Sequence, residues 1–153
     1  MKALTSKRVR DVVFIVHSKH QAAGTEWMCA LDLLREALKE HGHVYIIVQT
    51  FGAVPSIPQR KALTGLLKGK KSATAVITSS SIGRGVAMVL SLTGLANIKS
   101  FEPAIEGLHD NILGHFEDQN ADLKMTPKDI GTHLNCLRAE FLSPDIPNQA
   151  TQK

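Results

Sequence analysis

Aromatic side chains are scarce in this 153-residue chain, which has five Phe, one Tyr and one Trp. Any core must therefore be built mainly from Leu, Ile, Val and Ala. Cysteine is nearly absent: Cys29 and Cys136 stand far apart, with no CxxC spacing and no ligand pair nearby. They are read as free thiols buried in helices, and a disulfide is not expected in a reducing cytoplasm. No window approaches the roughly eighteen uncharged apolar residues that span a bilayer. The first eight residues carry basic side chains but no apolar stretch or small-residue cleavage site, so a cytoplasmic location without a transmembrane segment is expected.

The motifs of several chemistries are also lacking. There is no GxxxxGK[ST] or GxGxxG to cradle a nucleotide, no HExxH to hold zinc, and no GxSxG elbow. None of the seven histidines pairs with another at i, i+4 on one helix. His17 and His43 flank strands at opposite ends, where a parallel sheet would keep them apart. No catalytic residue, no metal ligand and no cofactor are expected, and the chain is read as non-enzymatic. The net charge of +4 is concentrated only at Lys7-Arg8-Val9-Arg10 and Lys68-Gly69-Lys70-Lys71. Such short clusters beside turns are ordinary solvated surface, so nucleic acid is not expected as a partner.

What is present is an alternation of short apolar runs with helical stripes. With 43% hydrophobic and 21% charged residues the chain is composed like a globular domain. Val12-Val13-Phe14-Ile15-Val16, His43 to Thr50, Ala73 to Thr78 and Ile98 to Phe101 read as strands covered on both faces. Between the first two, Thr25 is a candidate N-cap for a helix whose stripe is Trp27, Leu31, Leu34 and Leu38, ended by Gly42. A Leu-rich helix from Gln59 to Lys68 and another from about 82 to Leu92 follow. Pro103 is placed in the first turn of a helix carrying Ala104, Ile105, Leu108 and Ile112. Alternating strands and helices argue for an α/β domain with a small, mainly parallel or mixed sheet of four to five strands flanked by helices. Residues 1–116 form that domain, 117–125 a polar linker, 126–142 an extra C-terminal helix and 143–153 a disordered tail. Whether the first eleven residues add an edge strand to the sheet is left open.

Two stretches carry a resemblance. Val89-Leu90-Ser91-Leu92-Thr93-Gly94-Leu95, followed by Ile98 to Phe101 and Glu102-Pro103-Ala104-Ile105, is similar to the helix end, edge strand and next helix of the STAS-like fold. Val44 to Leu67 matches the strand, loop and Leu-rich helix of the same fold. Together they cover about Val12 to Leu113. The resemblance, to anti-sigma-factor antagonists (SpoIIAA-like) and the STAS domains of sulfate transporters, implies a regulatory protein-interaction module. The antagonists carry an Asp-Ser-Ser/Thr-Gly motif at the second helix. This chain has Val54-Pro55-Ser56-Ile57-Pro58-Gln59-Arg60 there, without the Asp and Gly.

Ser56, Gln59 and Arg60 are therefore the first candidate site, with Ser56 read either as a helix N-cap or as a phosphorylation or partner-contact residue. Ser79, Ser80, Ser81 and Arg84 are the second, leaving a strand and opening a helix where amides and a guanidinium can hold an anion. The expected function is regulatory binding of an as yet unidentified protein. The alternative is binding of a small anion, nucleotide or lipid at the start of the Ser79–Arg84 helix. The stripe Ile130, Leu134, Leu137 and Phe141 either packs on the domain or docks a second copy or a partner.

Overall fold

The computed structural model describes residues 2–79, 85, 97–119 and 121–141. Its strands are β1 (Leu4–Val9), β2 (Val12–His17), β3 (His43–Thr50), β4 (Lys71–Ile77) and β5 (Ile98–Phe101). Its helices among these residues are α1 (Gly24–His41), α2 (Ile57–Leu67), α3 (Leu108–Glu117) and α4 (Pro127–Ala139). The strands form one mixed sheet in the order β1-β2-β3-β4-β5. β2 to β5 run parallel, and β1 joins the β2 edge antiparallel, with Val9 opposite Val12 and Leu4 opposite His17. The α/β class and the four expected strands are all present, and the unassigned N-terminus supplies the fifth. Its exposed edge is blunted by charge, since Arg8 reaches Glu36 and Glu40 of α1.

All six residues of β2 are buried. A strand of that kind needs a layer on each face. Val13 and Ile15 meet Val44 and Ile46 of β3 and the stripe Trp27, Ala30, Leu31, Leu34 and Ala37 of α1 on one side. Val12, Phe14 and Val16 meet Tyr45 and Ile47, and then Ile112, Phe116, Ile130, Leu134 and Leu137, on the other. Strands added one after another in a single direction, by crossovers of one hand, place the crossover helices on one face. α1 and α2 accordingly share a face, and the opposite face falls to α3 and α4.

One open alternative closes here and two expectations change. The stripe of α4 is spent on its own sheet: Ile130, Leu134 and Leu137 are buried in the core against β1 and β2. It is thus not a free surface for a second copy. Within 117–125, Met125 is buried and Ala121 and Leu123 pack against the same core. Cys29 and Cys136 are exposed rather than buried. Each falls off its helix's stripe, which runs through residues 27, 30, 31 and 34 in α1 and 130, 134 and 137 in α4.

Helix starts also move. The N-cap of α1 is Ala23, not Thr25, and the Glu26 carboxylate accepts from the Ala23 N–H at 2.9 Å. The third helix begins at Leu108 after the left-handed Gly107, so Pro103, Ala104 and Ile105 lie in the preceding turns. The helix expected over about 82–92, apart from Gly85, the turn after it and the tail from 143 fall outside the described residues.

Candidate functional site

The carboxyl ends of β2, β3 and β4 lie side by side. His17 is opposite Thr50, and Gln49 is opposite Ile77, which sets Thr78 one step beyond. The loops that leave this edge lead to the N-termini of α1 and α2, the usual place for ligand or partner contacts on an open α/β sheet.

At the start of α2 the structure brings Ser56, Gln59 and Arg60 together. Ser56 Oγ accepts from the Gln59 N–H at 3.3 Å, and Gln59 Oε1 accepts from the Ser56 N–H at 3.0 Å, a reciprocal capping box. The Gln59 amide also takes a hydrogen bond from Gln21 at 2.7 Å and donates to the Ala22 carbonyl at 3.3 Å. The loop after β2 is thereby stitched to α2. The Arg60 backbone N–H bonds to the Ser56 carbonyl, but its Nε is buried with no hydrogen-bond partner among the described residues. Phe51 and Ile57, on either side of Ser56 in the chain, are 52% and 60% exposed. Of the second candidate site, Ser79 stands exposed just past β4 at this same edge. Ser80, Ser81 and Arg84 lie outside the described residues.

Behind the edge, between the sheet and α1–α2, is a cavity of about 90 Å³. Its walls include Ile15, Trp27, Leu31, Ile46, Leu63 and Val76, and it reaches His17 and Thr50 at the strand ends. His17 is buried, its Nε2 lying 3.1 Å from the His20 carbonyl. Burial holds its pKa below the ordinary 6.5, against the opposing pull of the His20 carbonyl and Glu26. The unfolded chain therefore takes up the proton more readily than the folded one. The stability that neutral His17 contributes is complete above about pH 6.5 and is lost as pH falls through the lower folded value. Thermal unfolding followed from pH 7.5 to 5 should show the melting temperature falling, and falling less in His17→Gln. An identical profile in the variant would remove His17 from the acid response.

On the opposite face an open cleft of about 560 Å³, half polar and half apolar, lies between α3 and α4, its lining including Gln49, Ile105, Leu108, His109, Asp110 and Arg138. Arg138 donates to Gln49 Oε1 and to Asn135 Oδ1. Burial and the Arg138 charge lower the pKa of His109. Among the described residues no three His, Cys, Asp or Glu side chains are grouped to hold a metal, and no described helix is long and apolar enough to cross a membrane.

No protein-family model, curated protein or solved structure matches the chain. The α/β class thus rests on the architecture itself.

Sequence reasoning found the α2 cap but not the cavity behind it. No local sequence pattern announces such a void.

Proposed function

We propose that the chain is a non-catalytic, regulatory binding module of the STAS-like kind, which engages a protein partner through the edge around Ser56, Gln59 and Arg60. The observation that carries this reading is the pair Phe51 and Ile57, both more than half exposed beside a capped and cross-stitched loop. Large apolar side chains held out by a rigid scaffold are typical anchors of a protein interface. The free charge around them, among the described residues, is of one sign. Lys19 and Lys61 are exposed and Arg60 is partly so, whereas the nearest acid on α1, Glu26, is already bonded to three backbone amides. The matching partner surface is acidic with apolar pockets. With Ser56 Oγ spent as a cap, the hydroxyl acts in this reading by fixing the loop, and Arg60 supplies the charge contact.

The test is retention of a partner from cell lysate by the wild type, by Phe51→Ser/Ile57→Ser and by Arg60→Ala. The expected result is a protein retained by the wild type and lost from both variants, at unchanged melting temperatures because the altered side chains are exposed or half-exposed. Retention by all three, or by none, removes this edge as the interface.

A further inference from the structure

Two residues of the cleft between α3 and α4 meet each other from different elements. Arg138, in the last turn of α4, donates through Nη1 to Gln49 Oε1 at the end of β3 and through Nη2 to Asn135 Oδ1. Gln49 is buried, so the guanidinium is held at the strand end. Both acceptors are neutral amides, and they occupy only two of the five N–H donors of a guanidinium. Burial lowers the pKa of Arg138, and no carboxylate among the described residues offsets it. Asp110, the one acid of the described lining, sits in the first turn of α3 and acts on His109 rather than on Arg138. Lys128 adds a second cation ten residues back along α4, about 15 Å away at helical rise. His109 packs so closely on Gly131 of α4 that a Cβ there would come within 2.9 Å of its ring, which fixes the two banks against each other. The apolar half of the wall includes Ile105, 37% exposed, with Leu108 and Pro127.

We propose that this cleft binds a small organic carboxylate, with its anionic group on Arg138 and its apolar body against Ile105, Leu108 and Pro127. The planar fork of a guanidinium matches a carboxylate, and the pair is stronger than the neutral bonds Arg138 now makes. A half-buried cation without a counter-charge carries a desolvation cost that such a ligand would offset. With His109 neutral at pH 7, the described lining sets two cations against one acid, which favours a monoanion over a phosphate dianion. The volume of about 560 Å³ lies within the 300–1,000 Å³ usual for small-molecule sites. Because the cleft is open, that volume bounds the body without fixing its shape. The site is on the other face of the sheet from Ser56, Gln59 and Arg60 and does not depend on the reading of that edge.

Naphthylacetate is the probe, and naphthylacetamide, the same body without the charge, is its control. Both are titrated against the full chain and followed through the amide and methyl resonances of Ile105 and Leu108. The expected result is a saturable shift with the carboxylate and binding of the amide weaker by about tenfold or more, the equivalent of one charge-assisted hydrogen bond. Arg138→Gln should weaken the carboxylate by a similar factor and leave the amide unchanged. Arg138→Lys keeps the charge without the fork and should fall between. Ile105→Ser, at an exposed position, should weaken both ligands. Lys39→Gln removes one exposed positive charge from α1, on the other face, and should change nothing. Melting curves establish that each variant folds, and the comparison of carboxylate with amide needs no variant. Absence of a saturable shift at Ile105 and Leu108 overturns the site. Equal affinity for carboxylate and amide, or an unaltered affinity in Arg138→Gln, overturns the role of the guanidinium. An equal loss in Lys39→Gln would mean general attraction to a basic chain and overturns the assignment to this cleft.

Discussion

Leu134→Ala is expected to lower the unfolding free energy by about 3 kcal/mol, within the 2–5 kcal/mol found for large-to-small changes in cores. Leu134 is fully buried, in the cluster that joins Phe14 and Val16 of β2 to Ile112 and Phe116 of α3. The neighbouring exposed Cys136→Ala should change stability by less than about 0.5 kcal/mol. Urea unfolding followed by far-ultraviolet circular dichroism distinguishes the two ways α4 can relate to the sheet. As part of the core, α4 gives one cooperative transition whose midpoint falls in Leu134→Ala and stays in Cys136→Ala. As an appendage it would melt separately and leave the main transition of Leu134→Ala where the wild type has it. Contacts outside the stripe point the same way: the Thr5 hydroxyl donates to the Leu137 carbonyl at 3.3 Å, and the Phe14 and His133 rings lie 5.0 Å apart.

That integration was half legible in the sequence. The run Val12 to Val16 has no polar alternation, which states that both faces of the strand are covered. The order in which strands join the sheet is not written in any local pattern. Only the order β1-β2-β3-β4-β5 places α1 and α2 together on one face, so that the second cover must come from further along the chain. β1 stays an open question in the sequence for a different reason. Its turn is Arg10-Asp11, with Arg10 left-handed at φ 56°, where a two-residue hairpin usually announces itself by Asn-Gly or Asp-Gly. The α2 cap was legible because Ser-x-x-Gln ahead of a Leu-rich stripe is a local signature with a local cause. The cavity was not, because it depends on how α1 and α2 together fail to fill the space above Ile15, Ile46 and Val76.

Glu26→Ala should cost about 2–3 kcal/mol at neutral pH, the range for hydrogen bonds to a charged acceptor whose donors are then left without one. Its carboxylate receives the Ala3 N–H at 2.8 Å, the Leu4 N–H at 3.3 Å and the Ala23 N–H at 2.9 Å, and so ties the start of β1 to the start of α1. Burial, the largest single influence, pushes its pKa up, but the three amides and nearby His17 together outweigh it and hold the group below its ordinary 4.5. With the folded value depressed, the contribution is fully present above about pH 4.5 and is lost as pH falls through the folded value. Urea unfolding at pH 7 and at pH 3 should therefore show a wild type that loses stability on acidification more steeply than Glu26→Ala, so that the gap between them narrows. Glu26→Gln keeps an acceptor oxygen without the charge and should lie between the two at pH 7, with a weaker acid response than the wild type. A gap of constant size from pH 7 to pH 3 would mean that the carboxylate charge has no part in joining β1 to α1. The acid response of His17 begins higher, below about pH 6.5, and the two groups on this edge influence each other's titration. Because Glu26 fixes Ala23 and the loop before it, and that loop is the one Gln59 holds to α2, loosening it should also disorder the Phe51–Ile57 face. Partner retention in Glu26→Ala should accordingly fall at neutral pH even where the protein remains folded.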